Sequence, residues 1–195
     1  MKKEGKKEMT FYIIDDTPNT IRQLKISLEG LGESCYWIDT TGIKHKSGLP
    51  ANYLNFSDPI SVDFKKRICS YVDKGSIFLV DLALNENERK AVDRKYIRKM
   101  PGELFTAKIA AQVIDTLKDY DNCAKVKVIS GIWKPGQTDQ WEEPLNEIKD
   151  KSWFSTIKFI STGVVRDAYL YPKTKDYLIG GWENEKETTC SMFLL

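Results

Sequence analysis

The chain has little of what most metal and redox centres are built from. Its 195 residues hold a single histidine and four cysteines, Cys35, Cys69, Cys123 and Cys190. No two cysteines stand as CxxC, and Cys35 and Cys69 fall on apolar stretches. Buried reduced thiols are therefore expected rather than a zinc or dithiol site. His45 lies in a polar loop without metal-spaced neighbours and is assigned no role. No run comes near the ~20 apolar residues of a membrane-spanning helix. The basic start, MKKEGKK, is followed by a short apolar run, Phe11 to Ile14, that ends in Asp15 and Asp16, so it does not read as a secretion signal. A formal charge of +2 implies neither nucleic acid nor an anionic membrane as a partner. The expectation is a soluble cytoplasmic protein with one core over residues 10–162, a charged, frayed leader at 1–9 and an extension at 163–195.

What is present is an alternation of strand and helix patterns. Phe11 to Ile14 is a continuous apolar run, as in a strand covered on both faces. Asp16 or Thr17 is placed to cap a helix that Pro18 opens; Ile21, Leu24, Leu28 and Leu31 recur at helical spacing, and Gly30 or Gly32 ends it. Cys35 to Ile38 forms a second strand pattern, and Thr40 to Ser57 a long polar loop. Asp58 and Pro59 signal a helix whose face is Ile60, Phe64, Ile68 and Val72. Ile77 to Asp81 is a third strand, again apolar and again ending in a carboxylate.

The charged stretch from Asn85 to Met100 exceeds the ~2–6 residues usual for such a connection and reads as a solvated insertion, about 84–101 in all. Leu104, Ile109, Val113, Ile114 and Leu117 mark a strongly apolar helix. Val126 to Gly131 is a fourth strand; Trp141, Leu145 and Ile148 suggest a shorter helix, and Ile157 to Thr162 is a fifth strand. Five alternations argue for a parallel sheet with helices on both faces. Trp133, Trp141, Trp153 and Trp182 come late and are read as core or partner surface.

In an open sheet of this kind the carboxyl ends of the strands hold the ligand. Those ends carry Asp15 and Asp16, Asp81, Ser130, and Ser161 or Thr162. A single strand-end acid would be read as a cap or a solvated loop group; three at equivalent ends repel unless a cation joins them. Mg²⁺ suits such a set, since it is a hard ion that takes carboxylates, a backbone carbonyl and waters. Asp15 and Asp16 are the better ion holders. Asp81, alone on its strand, is the better nucleophile toward a phosphoryl group, and Ser130 is placed to hydrogen-bond that group.

These residues resemble those of a known family. IIDDTPNTIRQLKISLEGLG is similar to the start of the receiver domain of two-component response regulators. GSIFLVDLAL resembles its acceptor strand, PGELFTAKIAAQVI its third helix, and KVKVISG the strand ending in its switch hydroxyl. The resemblance implies a flavodoxin-like three-layer fold with five parallel strands in the order 2-1-3-4-5, an order already associated with this family. It further implies that Asp16, Asp81 and the carbonyl of Ala83 hold Mg²⁺, with Asp15 acting through the surrounding shell. Asp81 would be the phospho-acceptor, Ser130 the switch hydroxyl and Phe159 the switch aromatic. The partners implied are a sensor histidine kinase or phosphotransfer protein and a downstream protein. Enzyme activity would be limited to self-phosphorylation from a donor and autodephosphorylation.

The chain departs from the family at Thr162, where a lysine is expected. A hydroxyl cannot supply an ammonium to an acyl phosphate, a charge-assisted contact of about 1.5–3 kcal/mol. Threading DAYLYPKT into that position offers Lys173 but reverses the Lys-Pro order. The insertions and the final segment also depart. A degenerate receiver acting as a phosphorylation-independent scaffold is the alternative. A phosphohydrolase of the DxD type fits less well, because these acids are adjacent.

Overall fold

A computed structural model describes residues 9–85, 107–130 and 148–161. Within them six strands form one sheet: β1 (Thr10–Ile14), β2 (Ser34–Ile38), β3 (Lys44–His45), β4 (Ser76–Asp81), β5 (Lys125–Ser130) and β6 (Lys158–Ser161). Their order is β3-β2-β1-β4-β5-β6. Every pairing is parallel except β2 with β3. The protein is therefore α/β with a mixed, mostly parallel sheet. The expectation of a purely parallel, five-stranded sheet is corrected by the antiparallel edge.

That edge arises inside the segment read as a plain loop. The Asp39 carboxylate accepts from the Thr41 N–H at 2.8 Å, the Ile43 N–H at 3.0 Å and the Thr41 hydroxyl at 2.7 Å. The chain is turned back there, so that Lys44 and His45 pair with Ile38 and Trp37. Although burial works against it, hydrogen bonds from His45, Thr41 and Ile43 hold the Asp39 carboxyl below its ordinary range. Gly42 is required at this turn. Its φ is +84, and a Cβ would come within 3.0 Å of the Phe64 backbone.

Helices lie on both faces, as the alternation implied. α1 (Pro18–Gly30) turns Ile21, Leu24 and Leu28 onto the face formed by Phe11, Ile13, Ile77, Leu79 and Ile129. α2 (Val62–Cys69) and α3 (Lys108–Tyr120) cover the other face, with Phe64 and Ile68 from one and Ile109, Val113, Ile114 and Leu117 from the other. The alternation of side chains along each strand sorts the apolar residues into these two layers.

α1 opens at Pro18 as read, without the side-chain cap, whereas the second helix starts later than expected. Thr17 occupies the cap position of α1 without a side-chain cap, because its hydroxyl donates to Asp16 Oδ1 at 3.0 Å. The second helix begins at Val62, with Ser61 accepting from the Phe64 N–H at 3.1 Å, rather than at Asp58 and Pro59. Asp58 is engaged elsewhere. Its carboxylate takes the Gln112 amide at 3.0 Å and the Lys108 ammonium at 2.9 Å, while Gln112 Oε1 accepts from the Ile60 N–H. This segment is bound to α3 and cannot also start a helix.

Most of the second insertion, the helix suggested by Trp141 and Leu145, and the extension at 163–195 lie outside the described residues. Trp153 is buried, and its indole donates to Asp115 at 2.6 Å, a core role. No helix among the described residues is long and apolar enough to cross a membrane.

Candidate metal centre

β1 and β4 are neighbours in register, with Ile14 opposite Val80. The next residues, Asp15 and Asp81, therefore emerge side by side at the carboxyl edge of the sheet. Asp16 follows in the turn before α1. One carboxylate oxygen from each of Asp15, Asp16 and Asp81 lies within 4.8 Å of the others. Asp15 and Asp16 are buried, at 2% exposure each, and Asp81 is half-buried.

Charge of one sign gathered where water is scarce is costly. Burial pushes the Asp15 carboxyl up to about 8, with the Asp16 charge adding to the rise; the Thr17 N–H, donating to Asp15 Oδ1 at 2.7 Å, works against it. The donor set is all oxygen, anionic and within the span of a single small ion. It fits a hard divalent cation of the Mg²⁺ class, whose two charges would offset the repulsion. Sulfur- or imidazole-seeking metals find no ligand of their kind in this trio.

The other expected residues are placed as follows. Ala83 is buried in the turn two residues after Asp81. Ser130 is the last residue of β5, one beyond Ile129, which pairs with Asp81. It therefore reaches the same edge, where Ser161 pairs with it. Phe159 lies two residues short of that edge, half-buried, with its ring 5.6 Å from that of Phe154. Thr162 and Lys173 lie outside the described residues.

Two further contacts define this edge, and sequence reasoning missed both. The chain around Leu54 and Phe56 is tied down at two points as a strap. The Leu54 N–H donates to the Asp16 carbonyl at 2.9 Å. Asn85 then clamps Phe56 from the other side, accepting its N–H at 2.8 Å and donating to its carbonyl at 2.6 Å. Asn85 adopts φ +66, a left-handed conformation that asparagine tolerates better than most residues. An asparagine just after an apolar strand run was the available signal, but nothing in the sequence says which backbone it grips. The strap thus ties the turn after β1 to the turn after β4. No family model matches this chain, and comparison with curated proteins and with solved structures finds no significant match.

Proposed function

We propose that this chain is a receiver-type signalling domain that binds Mg²⁺ at its acidic edge and accepts a phosphoryl group on Asp81. The observation that carries the reading is the meeting of Asp15, Asp16 and Asp81, drawn from two strands, within the span of one small ion. The strand order lends support. With the antiparallel edge set aside, the remaining strands run β2-β1-β4-β5-β6, an order consistent with a flavodoxin-like kind of sheet.

In this reading Asp16, Asp81 and the Ala83 carbonyl hold the ion, and Asp15 orients its surrounding shell. The bound ion neutralises charge on the transferring group. An oxygen of Asp81 bonds to phosphorus as the bond from phosphorus to the donor's leaving group breaks, giving an acyl phosphate. Ser130 hydrogen-bonds a phosphoryl oxygen, and Phe159 belongs to the surface that changes its affinity for a partner protein. The donor would be a sensor kinase or a phosphotransfer protein in the cytoplasm.

A second reading rests on Thr162, which stands where the family has lysine. Lacking that ammonium, the domain would keep the fold, with or without the ion, and act as a phosphorylation-independent scaffold. Titration with Mg²⁺ and beryllofluoride, followed by amide NMR, separates the readings. The first expects shifts at residues 15, 16, 81 and 130 that Asp81→Asn abolishes. No response to beryllofluoride leaves the scaffold, and no ion binding removes the first reading.

A further inference from the structure

A second charged site lies on the α2 side of the sheet, built from aromatic rings. Tyr12 sits in the middle of β1, opposite Tyr36 on β2 and Phe78 on β4. Residues paired across strands point to the same face, so the three rings form a row, with centroids 5.8 and 5.1 Å apart. Tyr71, just after α2, adds a fourth ring 5.4 Å from Tyr12; its hydroxyl donates to the Gly42 carbonyl at 3.1 Å. Lys44 on β3 pairs with Ile38 and so faces the same side as Tyr36. Its ammonium lies 4.7 Å from the Tyr71 centroid, 5.0 Å from that of Tyr36 and 5.5 Å from that of Tyr12. All three are within the ~6 Å over which a ring face attracts a cation.

We propose that Tyr12, Tyr36 and Tyr71 form a binding site for the quaternary ammonium head of a small molecule of the choline class, which Lys44 occupies as an internal competitor. The chemistry of Lys44 is the first argument. Among the described residues no carboxylate lies within ion-pair distance of its ammonium, although the Asp73 charge reaches the Tyr12 hydroxyl, so the ring faces are its near neighbours. A primary ammonium keeps three N–H groups that ring faces satisfy poorly, and it is strongly hydrated. A quaternary ammonium has no N–H to satisfy, and its diffuse charge leaves water more readily, so it suits these faces better.

Access is the second argument. Lys44 is exposed and sits on a two-residue edge strand, while Tyr36 and Tyr71 are half-buried. When the lysine swings out, Tyr12, now only 4% exposed, loses the side chain above it. This site is independent of the acidic edge. Tyr12 precedes Asp15 by three positions, roughly 10 Å along a strand.

The test uses the full chain and proton NMR with tetramethylammonium and choline as probes. Lys44→Ala should bind both about tenfold more tightly than the unaltered chain, and the N-methyl signals should move upfield in the ring currents. Tyr36→Leu in the Lys44→Ala background should remove that binding. Lys44→Gln, which keeps part of the stem over the rings, serves if Lys44→Ala does not fold. Folded variants that bind no more tightly than the unaltered chain overturn the proposal, as does binding that survives Tyr36→Leu. Failure of both variants to fold also overturns it, by making Lys44 a structural pin.

Discussion

At its carboxyl end β1 delivers Asp15 and Asp16 to a pocket shared with Asp81, and like charges meet there under cover. In the middle of the same strand Tyr12 lies in a row of rings beneath the Lys44 ammonium. One place gathers like charges, and the displaced Asp15 carboxyl records the cost. The other gives a cation a complement that needs no acid. The difference teaches where a ligand is wanted. A cluster of like charges favours an ion of the opposite sign, whereas the ring platform already holds its cation and can only exchange it.

The comparison can be broken most severely at the ring platform. Phe78 is fully buried at the end of the aromatic row. Phe78→Ala should cost about 3–5 kcal/mol in denaturant unfolding, by leaving a cavity beneath Tyr12. A loss below about 1 kcal/mol would mean that the row does not support the core.

A buried lysine on β5 sharpens the contrast with Lys44. Burial, with help from the Lys158 and Lys125 charges, pushes the Lys127 ammonium down to about 7 from 10.5. The folded state therefore binds fewer protons than the unfolded state between those values, and this contribution to stability rises as pH rises through them. Lys127→Met should remove the rise. The variant's advantage over the unaltered chain should be largest at neutral pH and shrink by on the order of 2 kcal/mol by pH 9. Comparing the two chains cancels opposing contributions from Asp15 below about 8, and from Cys35 and Tyr12, whose pKa values burial raises to about 12. A pH-independent difference would contradict the assignment.

The smallest expected effect concerns the strap. Asn85→Gly keeps the left-handed backbone but deletes both hydrogen bonds to Phe56. Stability should fall by about 1–2 kcal/mol, and hydrogen exchange at the Phe56 amide should quicken. Unchanged exchange there would show that the strap is held by other contacts.

Much of the acidic edge was legible because parallel strands announce it locally. An unbroken apolar run followed by a carboxylate fixes both burial and exit point, so Asp15, Asp16 and Asp81 needed only the neighbouring placement of β1 and β4. The start of α2 was misread because Asp58 spends its carboxylate on Lys108 and Gln112, partners about 50 residues away. β3 was missed because two residues carry no periodicity; a turn gathered by Asp39 makes the strand.

The order of apolar runs, acids and helix patterns thus determined by itself an α/β sheet and the identity of its acidic edge, since burial and chain reversal follow from local side-chain chemistry. Which side chains stand across from one another was decided only in the folded molecule. Register places Tyr36 beside Tyr12, the Asp39 turn brings Lys44 over both, and Asn85 grips Phe56 through backbone groups. Every residue has such backbone groups, so no sequence pattern marks the ones that are used.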